Sequence, residues 1–341
     1  MTVAAKFTSE KKLTAESKII IQILKYPTPF TNTFFVLDEF GFTHLTKKSD
    51  LHFNQNNCIL KFMKRIDIVT GASSGMGICF AKELARECLC DEIWIIARRA
   101  ERLEKLKEEI DAEGLEKLNS GKLKNAKTNQ NKIWPKIKII ALDISGAKGA
   151  LELKKYFEQE KDFEISVLVN NAGFGTYGEF ANTSTIREME MIDLDCTALT
   201  GITGFALPYM KKGARIINTA SLASFSPLGN FAVYGACKAY VLSFGIALAS
   251  ELKPKGISVT SLCPGPVSTE FANVASNGAR KEVRHGLSPE KTVRHAIKAS
   301  RKGKLYSMYA FKWRFKAFMT RFLSRHIIAY FTFKYCKRPS N

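Results

Sequence analysis

The eight cysteines of this 341-residue chain form no C-x-x-C pair, and its five histidines show no H-E-x-x-H or other ligand spacing. Those absences exclude the usual zinc and dithiol frameworks, and no metal is expected. Cys58, Cys79, Cys88, Cys90, Cys196, Cys237, Cys263 and Cys336 are scattered, several in apolar stretches where Cys acts as a small hydrophobe, so they read as reduced thiols. No run of eighteen apolar residues occurs, which argues against a conventional membrane span. The N-terminal stretch lacks the basic, apolar and small-residue order of a signal peptide, and a cytoplasmic address is the expectation. Acid is missing from one region. Residues 291–341 carry fourteen Lys and Arg and no Asp or Glu, so this tail dominates a net charge of +20.

An apolar content of 45% over this length supports a sizeable core, in one large α/β domain with appendages or in two ordinary domains. Residues 1–62 mix polar stretches with apolar clusters such as Ile19-Ile20-Ile21 and Phe34-Phe35-Val36-Leu37 and show no sustained period. They read as an N-terminal extension, dispensable or disordered, with Met63 a candidate start. From there strands and helices alternate. Strands are expected at 67–70, 92–97, 137–142, 166–169, 215–219 and 258–262; helices at 78–87, 102–110, 148–156, 187–209 and 234–252. A Lys/Asn-rich stretch between Asp111 and Lys136 reads as a solvated insertion. The pattern fits one doubly wound α/β domain over 63–300, a seven-stranded parallel sheet with helices on both faces, followed by a basic aromatic tail over 301–341.

Within that alternation, the stretch Asp67–Gly77 runs an apolar strand into Gly71, Gly75 and Gly77 and then into a helical pattern. Glycines let backbone approach a pyrophosphate, and the following helix offers free N–H groups and a positive dipole end. The G-x-x-x-G-x-G spacing differs from G-x-G-x-x-G, but the strand–turn–helix setting is the same. An anionic cofactor is the reading.

Tyr234 and Lys238, at i and i+4, share one helix face. A free tyrosine with a pKa of about 10 is a poor acid–base group near neutrality, and an adjacent ammonium should lower it. The same Y-x-x-x-K spacing recurs at Tyr330 and Lys334 in the tail. Only the first copy follows Ser221, at the end of the apolar strand Ile216–Ala220, where parallel sheets place ligand sites, and for that reason Ser221 is preferred to Ser224 and Ser226.

Taken in order, these residues resemble the short-chain dehydrogenase/reductases, with T-G-x-x-x-G-x-G, N-N-A-G, Ser and Y-x-x-x-K spread over roughly 63–275. The resemblance implies a Rossmann-like fold and a cofactor turn at Thr70–Gly77 whose contacts are Gly71, Ser73, Ser74, Gly75, Met76 and Gly77. It implies Asp143 beside adenine, Asn171, Ala172 and Gly173 after the fourth strand, and Pro264, Gly265 and Thr269 over the nicotinamide. Tyr234 would be the general acid in reduction and Ser221 the holder of the substrate oxygen. Lys238 would tune the tyrosine and bind the ribose, so that Tyr234 and Lys238 also count as cofactor contacts. Arg98, with Arg99 beside it after the second strand, suits a 2′-phosphate and points to NADP(H) over NAD(H).

Asp195 departs from the pattern, where the family usually has an Asn that positions a water beside the lysine. Its carboxylate would partly neutralise Lys238 and weaken the effect on Tyr234. Cys237 replaces a small residue and should pack quietly. Residues 270–290 should form the substrate lid, and Phe174, Tyr177, Phe180 and Phe225 could wall the site. The tail segment 311–323 carries aromatics at helical spacing with bases between them. It suits an interfacial helix on anionic lipid, or equally a helix packed on the domain or a second subunit. The leading function is NADP(H)-dependent interconversion of a carbonyl and a secondary alcohol, with a small and possibly lipophilic substrate, no nucleic acid and a homo-oligomer. The alternative is a nucleotide-binding adaptor of low turnover, for which Asp195 speaks.

Overall fold

The computed structural model describes residues 33–37, 43–47, 63–121, 133–281, 283 and 286–340. The chain divides into two units, Met1–Met63 and Lys64–Asn341. In the first, β1 (Thr33–Leu37) pairs antiparallel with β2 (Thr43–Lys47), Phe35 opposite Leu45. The sequence offered no regular element there, because a four-residue apolar cluster is too short to show a period. Ile19–Ile21 and Cys58 lie outside the described residues.

In the second unit, β3 (Lys64–Thr70), β4 (Glu92–Ala97), β5 (Lys136–Ala141), β6 (Phe163–Asn170), β7 (Met210–Thr219), β8 (Ser258–Leu262) and β9 (Tyr306–Ser307) form one parallel sheet. Its order is β5-β4-β3-β6-β7-β8-β9. Near-continuous buried runs such as Ile93–Ile96 and Val167–Val169 are what a strand covered on both faces demands. One face buries α1 (Gly75–Glu87), α2 (Ala100–Asn119) and α8 (Pro289–Arg301) through Phe80, Leu84, Leu106 and Val293. The other buries α3 (Gly146–Gln159), α5 (Leu199–Ala206) and α6 (Ala232–Leu252) through Leu153, Phe157, Ile202 and Leu248. The seven-stranded, doubly wound architecture is as expected. Its seventh strand is only two residues long, below the length at which alternation can be read.

Three elements differ from the sequence reading. α2 runs nine residues further than expected, to Asn119: Leu103, Leu106, Ile110 and Gly114 keep one buried stripe, and Glu113 pairs with Lys117 one turn on. The insertion is correspondingly shorter, and residues 122–132 lie outside the described residues. The single helix expected at 187–209 is instead α4 (Thr185–Ile192), a π-helical turn (Asp193–Ala198), α5 and a 3₁₀ turn (Leu207–Tyr209). Finally, the aromatic tail is two helices, α9 (Phe311–Met319) and α10 (Arg325–Tyr335). Among the described residues α6 is the one helix long and apolar enough to cross a bilayer, and half of that stretch is buried within the domain, as suits a core helix.

The chain builds β3, β4 and β5 toward one edge and then returns to the other side of β3 to lay down β6. Strand order reverses at that point, which opens a crevice beyond the carboxyl ends of β3 and β6.

Candidate active site

The crevice begins at the glycine turn. Gly71 has a φ of +66°, and a Cβ there would stand 2.7 Å from the Cα of Ala172, so the turn after β3 lies directly against the segment after β6. Thr70 and Asn171 join the two. The Thr70 hydroxyl accepts from the Asn171 and Ala172 N–H groups at 3.0 and 3.1 Å, and the Asn171 amide donates to the carbonyls of Thr70 and Gly71. Ser74 caps α1 with extended backbone but no side-chain hydrogen bond, and the first turn holds no acid. The helix therefore presents its first N–H groups and its positive end unanswered.

Farther along, the Arg99 guanidinium donates to the Ser73 hydroxyl at 3.1 Å. Exposed Arg98 stands 3.7 Å from Asp143. Burial opposes the Asp143 carboxylate, but hydrogen bonds from Ser145 and the charge of Arg98 hold its pKa below the ordinary value.

The opposite end of the crevice is built by the last turn of β7 and the start of α6. Ser221 has extended backbone and caps a short 3₁₀ turn, its hydroxyl accepting from the Ala223 N–H at 3.1 Å. Ser224 is a scaffold group: its hydroxyl donates to the Lys238 carbonyl at 2.6 Å and accepts from the Ser221 N–H at 3.2 Å. Tyr234 is sandwiched by aromatic rings, stacked on Phe231 at 4.1 Å and tilted against Phe271 at 5.4 Å. Burial raises its phenol above the ordinary value; the charge of Lys238 and the hydroxyl of Ser221 pull it down without cancelling that rise. The lysine acts in the expected sense, but burial outweighs it.

Lys238 lies beneath, only 4% exposed, over the Tyr234 ring, donating to the Thr219 carbonyl at 3.1 Å and paired with Asp195 at 2.8 Å. Burial disfavours the ammonium, yet Asp195 and Tyr234 keep its pKa above the ordinary lysine value. The π-helical turn aims Asp195 inward, where one oxygen also accepts from the Phe174 N–H at 3.0 Å. Burial lifts its carboxyl against the pull of Lys238.

One cleft of about 1260 Å³ takes in both ends. Every residue expected to be catalytic or to contact the cofactor lines it except Gly77, which packs behind on Gly71, and Asp195, which sits behind Lys238. The second Y-x-x-x-K pair stays apart, with Tyr330 and Lys334 exposed on α10. Of the proposed aromatic wall, Phe174 and Tyr177 line the cleft. Phe180 is 56% exposed and Phe225 packs on Tyr306, so neither reaches it.

Sequence reasoning missed Phe231 and Phe271, and it missed the tail's part in the site. In α9, Ala317 is buried and Trp313 packs on Gly265, while Phe311, Phe315 and Phe318 remain exposed. The end of α10 and the residues after it cross the mouth: Thr332, Phe333 and Arg338 bond to Gly229 and Asn230, and Arg338 lines the cleft. No local pattern announces such a docking.

A parallel doubly wound sheet with an anion-ready helix end at one pole and a Ser–Tyr–Lys cluster at the other defines an NAD(P)-dependent oxidoreductase. Residues 115–279 match the family model for short chain dehydrogenases. Hydroxysteroid dehydrogenase-like protein 1 of Gallus gallus is 32% identical over 70% of this chain and 66% of its own length. An NADP-dependent 3-hydroxy acid dehydrogenase of Escherichia coli is 31% identical over 62% of this chain and 77% of its own. The fold is shared with a short-chain dehydrogenase from Sphingobium yanoikuyae in complex with NADPH, at 23% identity, a TM-score of 0.60, and coverage of 75% of this chain and 93% of that one. Solved structures of this fold include complexes with NADPH and with NAD. The chain belongs to the short-chain dehydrogenase/reductase family.

Proposed function

We propose that this enzyme interconverts a carbonyl and a secondary alcohol with NADP(H), and that Tyr234 is its general acid and base. The observation that carries the reading is the convergence of Ser221, Tyr234 and Lys238 in the cleft that also contains the glycine turn. The residues fit a dinucleotide. The open end of α1 with Ser73, Ser74 and Met76 would take the pyrophosphate, Asp143 the adenine side, and Lys238 with Pro264, Gly265 and Thr269 the nicotinamide side. Arg98 and Arg99, both at the adenine end, favour a cofactor with a 2′-phosphate over NAD(H).

When bound, the nicotinamide supplies or accepts the hydride. Tyr234 donates its phenolic proton to the carbonyl oxygen, and Ser221 offers that oxygen a second donor. The raised phenol pKa keeps the tyrosine protonated at neutral pH, which suits reduction. Lys238 stabilises the phenolate left behind, and Asp195 holds Lys238 charged. The rings of Phe231 and Phe271 exclude water around the phenol and suit a lipophilic substrate.

Asp195 also supports a second reading, a cofactor-binding adaptor of low turnover, because its carboxylate spends part of the Lys238 charge. We further infer a cytoplasmic enzyme, a homo-oligomer, and peripheral contact with anionic membrane through the exposed aromatics and bases of 311–323.

Purified protein with NADPH or NADH and a panel of ketones, aldehydes and oxo acids, followed by absorbance of the reduced cofactor, tests the main reading. NADPH-dependent turnover is expected, with Tyr234→Phe slower by roughly 10²–10⁴-fold. Cofactor binding without turnover on any of the panel favours the adaptor.

A further inference from the structure

The tail crosses the cleft mouth opposite the catalytic tyrosine. Thr332 accepts from the Gly229 N–H at 2.9 Å, and Asn230 donates to the Phe333 carbonyl at 2.9 Å. Arg280, from the segment after α7 (Phe271–Ala275), donates to the Lys337 carbonyl at 3.0 Å. These bonds fix the backbone that leads up to Arg338. Its guanidinium donates to the Gly229 carbonyl at 2.9 Å and lies over the Phe231 ring at 5.1 Å and the Tyr177 ring at 6.0 Å. Phe231 in turn stacks on Tyr234, so the guanidinium is one aromatic ring away from the catalytic phenol.

Arg338 is thus held by its neighbours yet has no carboxylate partner among the described residues, and one bond to a carbonyl leaves most of its five donors unused. Arg280 also stands over the Tyr177 ring, at 5.8 Å, again without an acid partner among the described residues. Among the described residues two acids line the cleft. Asp143 is at the adenine end, and Glu270 is taken by both of its oxygens at Arg102, at 3.0 and 2.9 Å. The substrate end therefore combines a wall of apolar rings with positive charge that no described acid compensates.

We propose that Arg338, supported by Arg280, is an anion-recognition residue, and that the substrates are carbonyl or hydroxy compounds with an apolar chain and a nearby carboxylate or other anionic group. A planar fork held by stacking and by one backbone carbonyl is suited to bidentate capture of a carboxylate. Arg338 lies in the tail, outside the 115–279 stretch matched to the family model. The inference rests on the reductase reading above and deepens it.

The test pairs 5-oxodecanoate with its methyl ester as substrates, and decanoate with decanol as calorimetric ligands of the NADPH-loaded protein. Wild type should prefer the acid in kcat/KM by roughly 10–100-fold, mostly through KM, in line with one charge-assisted contact. Arg338→Gln should bring the acid-to-ester ratio near one and abolish the preference for decanoate, while Arg338→Lys keeps part of both. Arg280→Gln gives a smaller change in the same direction, which tests the subsite even where Arg338→Gln fails to fold by circular dichroism. A wild type indifferent between acid and ester, or Arg338 and Arg280 variants that keep the wild-type ratio, overturns the proposal. Decanoate binding that depends on Arg338 without turnover of either substrate would support the subsite and refute the reductase reading; turnover with no preference for the acid would do the reverse.

Discussion

Two buried carboxylates, Asp195 and Asp67, are where single atoms decide most. Asp195 pushes the Tyr234 pKa up while Lys238 pulls it down. Asp195→Asn removes the upward push and leaves Lys238 its hydrogen bond to Thr219, so the phenol should titrate at lower pH. Alcohol oxidation, which needs the phenolate, should then rise at pH 7, and the alkaline decline of ketone reduction should begin earlier. Unchanged pH–rate profiles in both directions would show that Asp195 has no electrical hold on the tyrosine. Asp67, on β3 and far from the chemistry, is 2% exposed and accepts a short hydrogen bond from Ser166. Burial pushes its pKa up to about 6, against Ser166, Arg215 and Cys90. A carboxyl raised in the folded state adds no penalty below its unfolded value near 4; the penalty grows from there to about pH 6 and is full above. Asp67→Asn should therefore match wild type at pH 4 and be more stable at pH 7, by at most about 3 kcal/mol. Urea midpoints at the two pH values check this, and an Asn variant weaker at pH 7 would contradict it.

Among the elements, the π-helical turn and α9 each do something an ordinary helix would not. The π-helical turn Asp193–Ala198 carries Asp195, which is buried there against Lys238 at 2.8 Å. A resemblance identified Asp195 as a site residue, but its geometry was not legible, because periodicity reports a helix and not a one-residue slip within it. In α9 the spacing of Phe311, Phe315 and Phe318 was legible and its meaning was not. The face that packs is the one bearing Trp313 and Ala317, and the phenylalanines face outward, 50–71% exposed. Outward aromatics set among Lys312, Arg314, Lys316 and Arg321 suit the headgroup region of an anionic bilayer. Vesicles rich in phosphatidylserine should sediment the protein and zwitterionic ones should not. Replacing Phe311, Phe315 and Phe318 with Ser should reduce the bound fraction at least several-fold, each buried ring being worth a few kcal/mol. Equal binding to both vesicle types, or full retention by the triple variant, would rule the contact out.

Across the whole molecule, what could be read in advance was whatever the chain writes locally. Glycine spacing, the i, i+4 pair and apolar strands are local patterns, and they located the two ends of the crevice, while the resemblance supplied Asp143, Asn171, Ala172, Gly173, Pro264, Gly265 and Thr269 along it. Phe231 stands three residues before Tyr234, at the N-cap of α6, but Phe271 comes onto Tyr234 and Arg338 onto Phe231 only through tertiary packing, Arg338 from about a hundred residues away, and no window of sequence contains those two contacts. That separation also has a consequence in time. Synthesis at roughly 5–20 residues per second produces Tyr234 some 5–20 s before Arg338. The proton-transfer group is thus made before Pro264, Phe271, Trp313 and Arg338, which line the same cleft, so the cleft takes its described form only once Arg338 has been added.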